Sequence, residues 1–182
     1  MAQFARPDAD ESVGNWTTSG GDSTDLFEEI NSASAEDSTH IEATDGGSDE
    51  VAIFTLSDVT DPSSATGHKV IYRAQGLDEM GSGDPELTVQ LLEGSTSRAS
   101  WTRTPSTGSI TTYTETLSSA QANSITNYAN LKLKLTLETN GSGGPTMNVY
   151  QAYFECPDAG GGGGGDSLQA LSGLSALSGL SV

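Results

Sequence analysis

Between residues 131 and 137 the chain reads Leu-Lys-Leu-Lys-Leu-Thr-Leu, an alternation that suits an extended backbone and little else. Successive side chains of a strand point to opposite faces, so Leu131, Leu133, Leu135 and Leu137 share one face and Lys132, Lys134 and Thr136 the other. A slip of one residue would bury two lysines, which fixes the register as firmly as the conformation. The segment is therefore a half-buried strand, and the chain must supply a second layer to cover its leucine face.

The same period of two recurs along the centre of the chain. Residues 51–57 set Ala52, Phe54 and Leu56 against Val51, Ile53 and Thr55, and residues 87–92 set Leu87, Val89 and Leu91 against Thr88 and Gln90. Further strands are expected at 39–43, 68–74, 98–103, 110–117 and 147–155, between loops rich in Gly, Pro, Ser, Asp and Asn such as 58–67 and 140–145. About eight strands at roughly 10–20-residue intervals describe an all-β fold, an antiparallel β-sandwich. Two short helices interrupt it. Leu26, Phe27 and Ile30 lie at helical spacing behind a Thr24 or Asp25 cap, and 118–125 opens on a serine cap as a crossover at one end of the sandwich. Residues 1–25 are polar and turn-rich and form an N-terminal arm or edge strand in which Trp16 needs burial, so the sandwich domain proper is 26–157.

Residues 158–166 contain six consecutive glycines and form a linker. As a flexible coil, about nine such residues span roughly 15–18 Å between ends. Residues 167–182 form a non-globular tail in which Leu168, Leu171, Leu174, Leu177 and Leu180 recur every three residues, and Leu-Ser-Gly-Leu-Ser-Ala is followed by Leu-Ser-Gly-Leu-Ser-Val ending at Val182. On an α-helix, leucines three apart drift by about 60° per step and leave no apolar stripe, which disfavours an amphipathic membrane helix. A three-residue turn, as in polyproline II, keeps them in line, so an extended peptide lying in a groove is expected. Five buried leucines contribute on the order of 7–15 kcal/mol, whereas ordering about fifteen Gly/Ser-rich residues costs ~1–2 kcal/mol each. The tail therefore needs a partner to be ordered, with the five leucines and Val182 as its docking residues, and presentation on an oligomer would strengthen a weak single anchor.

Twenty-five acidic residues against seven basic ones give a formal net charge of -18, which repels phosphate backbones and anionic lipid headgroups. Neither nucleic acid nor membrane is an expected partner. The N-terminus has no apolar h-region and no run approaches ~18 apolar residues, so neither a classical export signal nor a membrane span is expected. The single cysteine, Cys156, precedes Pro157 at the expected end of a strand and reads as a small buried hydrophobe.

Chemistry is thinly represented. His40 and His68 have no second ligand at metal-binding spacing, and no Gly-x-Ser-x-Gly elbow occurs. Calcium is the one ion with candidate loops, at 45–50 and 78–84, but neither follows the EF-hand pattern, and in so acidic a chain such clusters arise by chance. No cofactor is expected, and the chain reads as a non-enzyme. For a glycan-binding role, Trp101, Tyr113, Tyr128, Tyr150 and Tyr153 are the available stacking platforms. Alternation places Trp101 inside with Ala99, and Tyr150 inside with Ala152 and Phe154. It puts Tyr153 on the opposite face with Val149 and Gln151.

Several segments carry a resemblance. Leu56-Ser57-Asp58, Asp61-Pro62-Ser63-Ser64 and Gly67-His68-Lys69-Val70, then Val89-Gln90-Leu91-Leu92-Glu93-Gly94, then Leu117-Ser118-Ser119-Ala120-Gln121 with Ile125, Tyr128 and Leu131, resemble a jelly-roll-like domain of tailed-bacteriophage virion proteins. The opening Arg6-Pro7-Asp8-Ala9-Asp10 and Trp16-Thr17 fit as well, so the resemblance covers about residues 6–157. It implies a non-enzymatic structural protein on the surface of a phage particle, in the first place a capsid decoration or cement protein. That protein would be bound to the major capsid or another virion protein and be oligomeric, with a trimer as the guess from threefold capsid sites. A tail, neck or fibre accessory protein and a glycan-binding module are the alternatives.

Overall fold

The computed structural model describes residues 1–77, 85–138, 144 and 146–159. The glycines 160–165, the docking leucines with Val182, and the acidic loop 78–84 lie outside the described residues.

In chain order the strands are β1 (Ala2–Ala5), β2 (Pro7–Ser12), β3 (Thr17–Thr18), β4 (Ile41–Thr44), β5 (Glu50–Leu56), β6 (Lys69–Leu77), β7 (Glu86–Glu93), β8 (Thr96–Arg103), β9 (Thr111–Thr116), β10 (Leu131–Glu138) and β11 (Thr146–Pro157). Helix α1 (Leu26–Ile30) follows β3, and α2 (Ser119–Ser124) lies between β9 and β10. They build an antiparallel β-sandwich of two sheets. One runs β2-β5-β10-β7-β8, and the other runs β3-β4-β11-β6-β9 with β1 also paired to β11.

The leucine strand β10 is central in its sheet, with Leu133 opposite Phe54 on one side and Leu91 on the other. Its four leucines meet Tyr72, Val149 and Phe154 from the second sheet in one buried core. Trp16 closes one edge, fully buried, with its indole N–H donating to the Glu50 carbonyl at 3.0 Å. The turn that delivers it, with the Trp16 N–H on the Val13 carbonyl, holds Gly14 at φ 54, where a Cβ would come within 2.5 Å of the Val51 carbonyl oxygen. Only glycine fits there. At the opposite edges, Arg103 of β8 donates to the Glu115 carboxylate of β9 at 2.7 and 2.9 Å, tying the two sheets together.

Three details differ from the sequence reading. The N-terminal residues supply three short strands, all at sheet margins, where the polar run Pro7–Ser12 shows no alternation because two register shifts break its pairing with β5. At α1 the cap comes from elsewhere. Asp25 sits in the left-handed region at φ 58 and makes no side-chain cap, while the carboxylate of Asp10 on β2 accepts from the Leu26 and Phe27 amides at 2.9 Å each. In β11 the register shifts between Val149 and Gln151, so Val149 faces the core and Tyr150 does not join it. Tyr150 is buried on the outer side instead, against the His40 ring at 5.0 Å, with its hydroxyl donating to Gln75. A bulge of this kind offsets strict alternation by one residue.

Helix α2 matches expectation and adds a capping box, with the Ser118 hydroxyl accepting from the Gln121 amide and the Gln121 side chain accepting from the Ser118 amide. Residues 1 and 158 meet, since Ala2 pairs with Pro157 and the Asp158 amide donates to the Met1 carbonyl at 2.9 Å.

Because Leu133 is fully buried at the centre of the core, Leu133→Ala should lower unfolding free energy by ~2–5 kcal/mol. Denaturant titration followed by tryptophan fluorescence measures this, and a loss under about 1 kcal/mol would contradict the central position assigned to β10.

Candidate functional site

The outer faces of the two sheets differ. Over the six-stranded sheet the segment between α1 and β4 folds back across the strands. Arg6 donates to the carbonyls of Asn31, Ser32 and Ala33, the Gln151 amide donates to the Ser32 carbonyl at 2.6 Å, and Arg73 grips Asp37 through two bonds of 2.6 and 2.7 Å. What this leaves open is Phe4, 47% exposed, with its ring edge-on to Tyr153 and the Arg6 guanidinium 4.8 Å from the Tyr153 ring centre.

Among the described residues no such strap crosses the five-stranded sheet. Its outer face holds a groove of about 440 Å³ floored by Val51, Ile53 and Leu92 and edged by Glu11, Gln90, Ser97, Lys132 and Lys134. The elements explain the arrangement. The alternation that buries the β10 leucines turns both lysines outward, with Lys134 opposite Ile53 of β5 and Gln90 of β7. Lys132 is ion-paired with Glu11 of β2. The Gln90 amide lies 3.5 Å from the Ser97 hydroxyl. Since β10 is laddered on both sides, its backbone groups are used within the sheet, and anything bound to this face must be recognised by side chains.

The aromatic candidates distribute unevenly. Trp101 and Tyr113 are partly buried against the core, with Tyr113 stacked on Tyr72 at 5.2 Å. Tyr128 and Tyr150 are buried, and Tyr153 faces outward, half-buried. None lies in the groove of the five-stranded sheet.

Three titratable side chains, His68, Tyr128 and Cys156, are buried in the sandwich. His68 is fully buried with its Nε2 2.7 Å from the Tyr128 hydroxyl, and its ring lies 5.9 Å from that of Phe154. Burial holds the His68 imidazole below its ordinary value of 6.5 and pushes the Tyr128 hydroxyl up to about 12. Burial likewise raises the Cys156 thiol to about 11. These shifts favour the neutral forms, opposite to what an activated nucleophile needs.

In the 45–50 loop Asp45 and Glu50 are both buried, with the Gly47 amide donating to Asp45 and the Asn15 amide to Glu50, each at 2.7 Å. Among the described residues there is no group of three or more His, Cys, Asp or Glu side chains that could hold a metal ion. None of the described helices is long and apolar enough to cross a membrane. The sequence reading missed the groove, although its lysines and its Val51, Ile53 and Gln90 were already on the polar side of their strands. The missing information was which of their neighbours neutralise them.

No protein-family model matches the chain, and no curated protein does. Among solved structures, the xylan-binding module CBM15 aligns with TM-score 0.47 at 11% identity, over 87% of this chain and 99% of that module. A non-crystalline cellulose specific carbohydrate-binding module, CBM28, gives TM-score 0.47 at 10% identity over 82% and 95%. The cleaved adhesin domain K3 of Lys-gingipain from Porphyromonas gingivalis gives 0.46 at 8% identity over 85% and 99%. The ligands in these names belong to those proteins.

The buried His68 gives a pH signature. Its folded-state pKa lies below the unfolded value near 6.5, so the unfolded chain takes up a proton that the folded chain refuses. Stability attributable to this site is therefore greatest above that value and declines as pH falls below it. The melting temperature should drop between pH 7.5 and 5.5, and His68→Gln should flatten that slope. An unchanged slope in the variant would show that other groups govern it.

Proposed function

We propose that this chain is a non-catalytic attachment module that takes a glycan on the outer face of its five-stranded sheet. On the resemblance described above, we place it on the surface of a tailed-phage particle. The observation that carries the binding role is the groove itself. It combines an apolar floor of Val51, Ile53 and Leu92 with amide, hydroxyl, carboxylate and ammonium groups at its edges. A sugar ring presents C–H faces to such a floor and hydroxyls to such an edge, and a sheet laddered on both sides holds those groups at fixed spacing. Burial shifts His68, Tyr128 and Cys156 toward their neutral forms, which favours binding without chemistry at that end of the sandwich.

An array spanning xylan, cellulose, galactan and uronate oligosaccharides tests the reading. Binding to at least one class is expected, with loss of about tenfold or more in Ile53→Asp, which places a charge on the apolar floor while its side chain stays out of the core. Absence of binding across the array would remove the glycan reading.

A second reading, a capsid decoration or cement protein anchored through its arms, is favoured by the junction of residues 1 and 158. Residue 158, where the linker starts, lies there beside the first strand, so a partner held by 167–182 could engage that corner. Deleting 167–182 should leave the melting temperature of the sandwich within a few degrees and reduce particle occupancy. Unchanged occupancy would remove the anchoring role of Leu168, Leu171, Leu174, Leu177, Leu180 and Val182.

A further inference from the structure

The seven lysines and arginines all fall among the described residues, and six are already engaged. Lys69 pairs with Glu155, Arg73 with Asp37, Arg98 with Glu93, Arg103 with Glu115 and Lys132 with Glu11. Arg6 is spent on three backbone carbonyls and two aromatic rings. Lys134 alone has no carboxylate, carbonyl or aromatic partner among the described residues. In a chain with 25 acidic residues, a cation at the middle of a sheet that no described residue pairs stands out.

Its setting defines what it could bind. Lys134 projects into the groove with Ile53 on one side and Gln90 on the other. The next acid along its own strand is Glu138, about 13 Å away at the rise of an extended chain. The groove edge carries two ammonium groups and one carboxylate, Glu11, which Lys132 already neutralises, so the groove is locally positive within a strongly acidic molecule. We infer that the groove selects an acidic oligosaccharide, whose carboxylate or sulfate is received by the Lys134 ammonium while its neutral rings lie over Val51, Ile53 and Leu92.

This rests on the glycan reading and narrows it. A polyanion such as nucleic acid fits poorly, because its dense regular charge meets the field of the whole chain at -18. A single charge set among hydroxyl-bearing neutral rings meets only the local field. A peptide that docks by strand addition would seek an edge, and this face offers none, since β10 is flanked by β5 and β7.

Matched ligands isolate the effect: xylotetraose, the same backbone bearing one glucuronate, and an acidic hexapeptide, each titrated into the full chain by calorimetry. The glucuronate-bearing sugar should bind about tenfold tighter than the neutral one. Lys134→Gln should abolish that preference, and 0.5 M NaCl should weaken it. Lys69→Gln, on the other sheet, should leave it intact. Equal affinity for the two sugars would overturn the inference while leaving the glycan reading standing. Binding of neither sugar would overturn the inference, while the glycan reading stands or falls with the array, and binding of the peptide alone would reassign the groove to a protein partner. Equal melting temperatures of the wild type and Lys134→Gln establish that the variant is folded.

Discussion

With Leu133, Leu135 and Leu137 fully buried and Leu131 at 2% exposure, β10 cannot move by one residue without carrying Lys132 and Lys134 into the core. That prohibition sets the ladder to β5 and β7, since Leu133 must face both Phe54 and Leu91. The second sheet then has one place to lie, across those leucines, and the short strands of the first 25 residues fill in at the margins. The same alternation that closes the core builds the outer groove. Core and groove are two sides of one pattern, so a change of register would destroy both together.

Much of this was legible in the sequence for a physical reason. Period-two segments such as 51–57, 87–92 and 131–137 are read directly because burial on one face and water on the other leave a mark at every position. The pattern fails where pairing is irregular. Tyr150 reads as a core residue from its spacing to Ala152 and Phe154, and the bulge beside it puts it on the outer side against His40. β2 has no pattern to read, being polar and twice shifted against β5. The cap of α1 is invisible for a different reason: Asp10 reaches Leu26 across 16 residues of chain, and capping rules look at adjacent ones.

The groove illustrates the same limit for function. That Lys132 and Lys134 point outward follows from alternation, but that Glu11 neutralises one and no described residue neutralises the other follows from the edge placement of β2. The aromatic inventory pointed elsewhere. Trp101, placed inside by its alternation with Ala99, packs against the core as do Tyr113 and Tyr128, and the outward pair Phe4 and Tyr153 sits on the strapped sheet. Side-chain type suggested stacking platforms, whereas the geometry offers an aliphatic floor with a polar edge.

The meeting of residues 1 and 158 has a mechanical side. Any load reaching residue 159 from the arm beyond it enters the sandwich through β11, which is paired to β1, β4 and β6. A pull along that strand acts in shear, loading its ladder hydrogen bonds together, whereas a pull on an edge hairpin would break them one at a time. A load entering at residue 159 therefore meets one of the best-secured strands in the molecule.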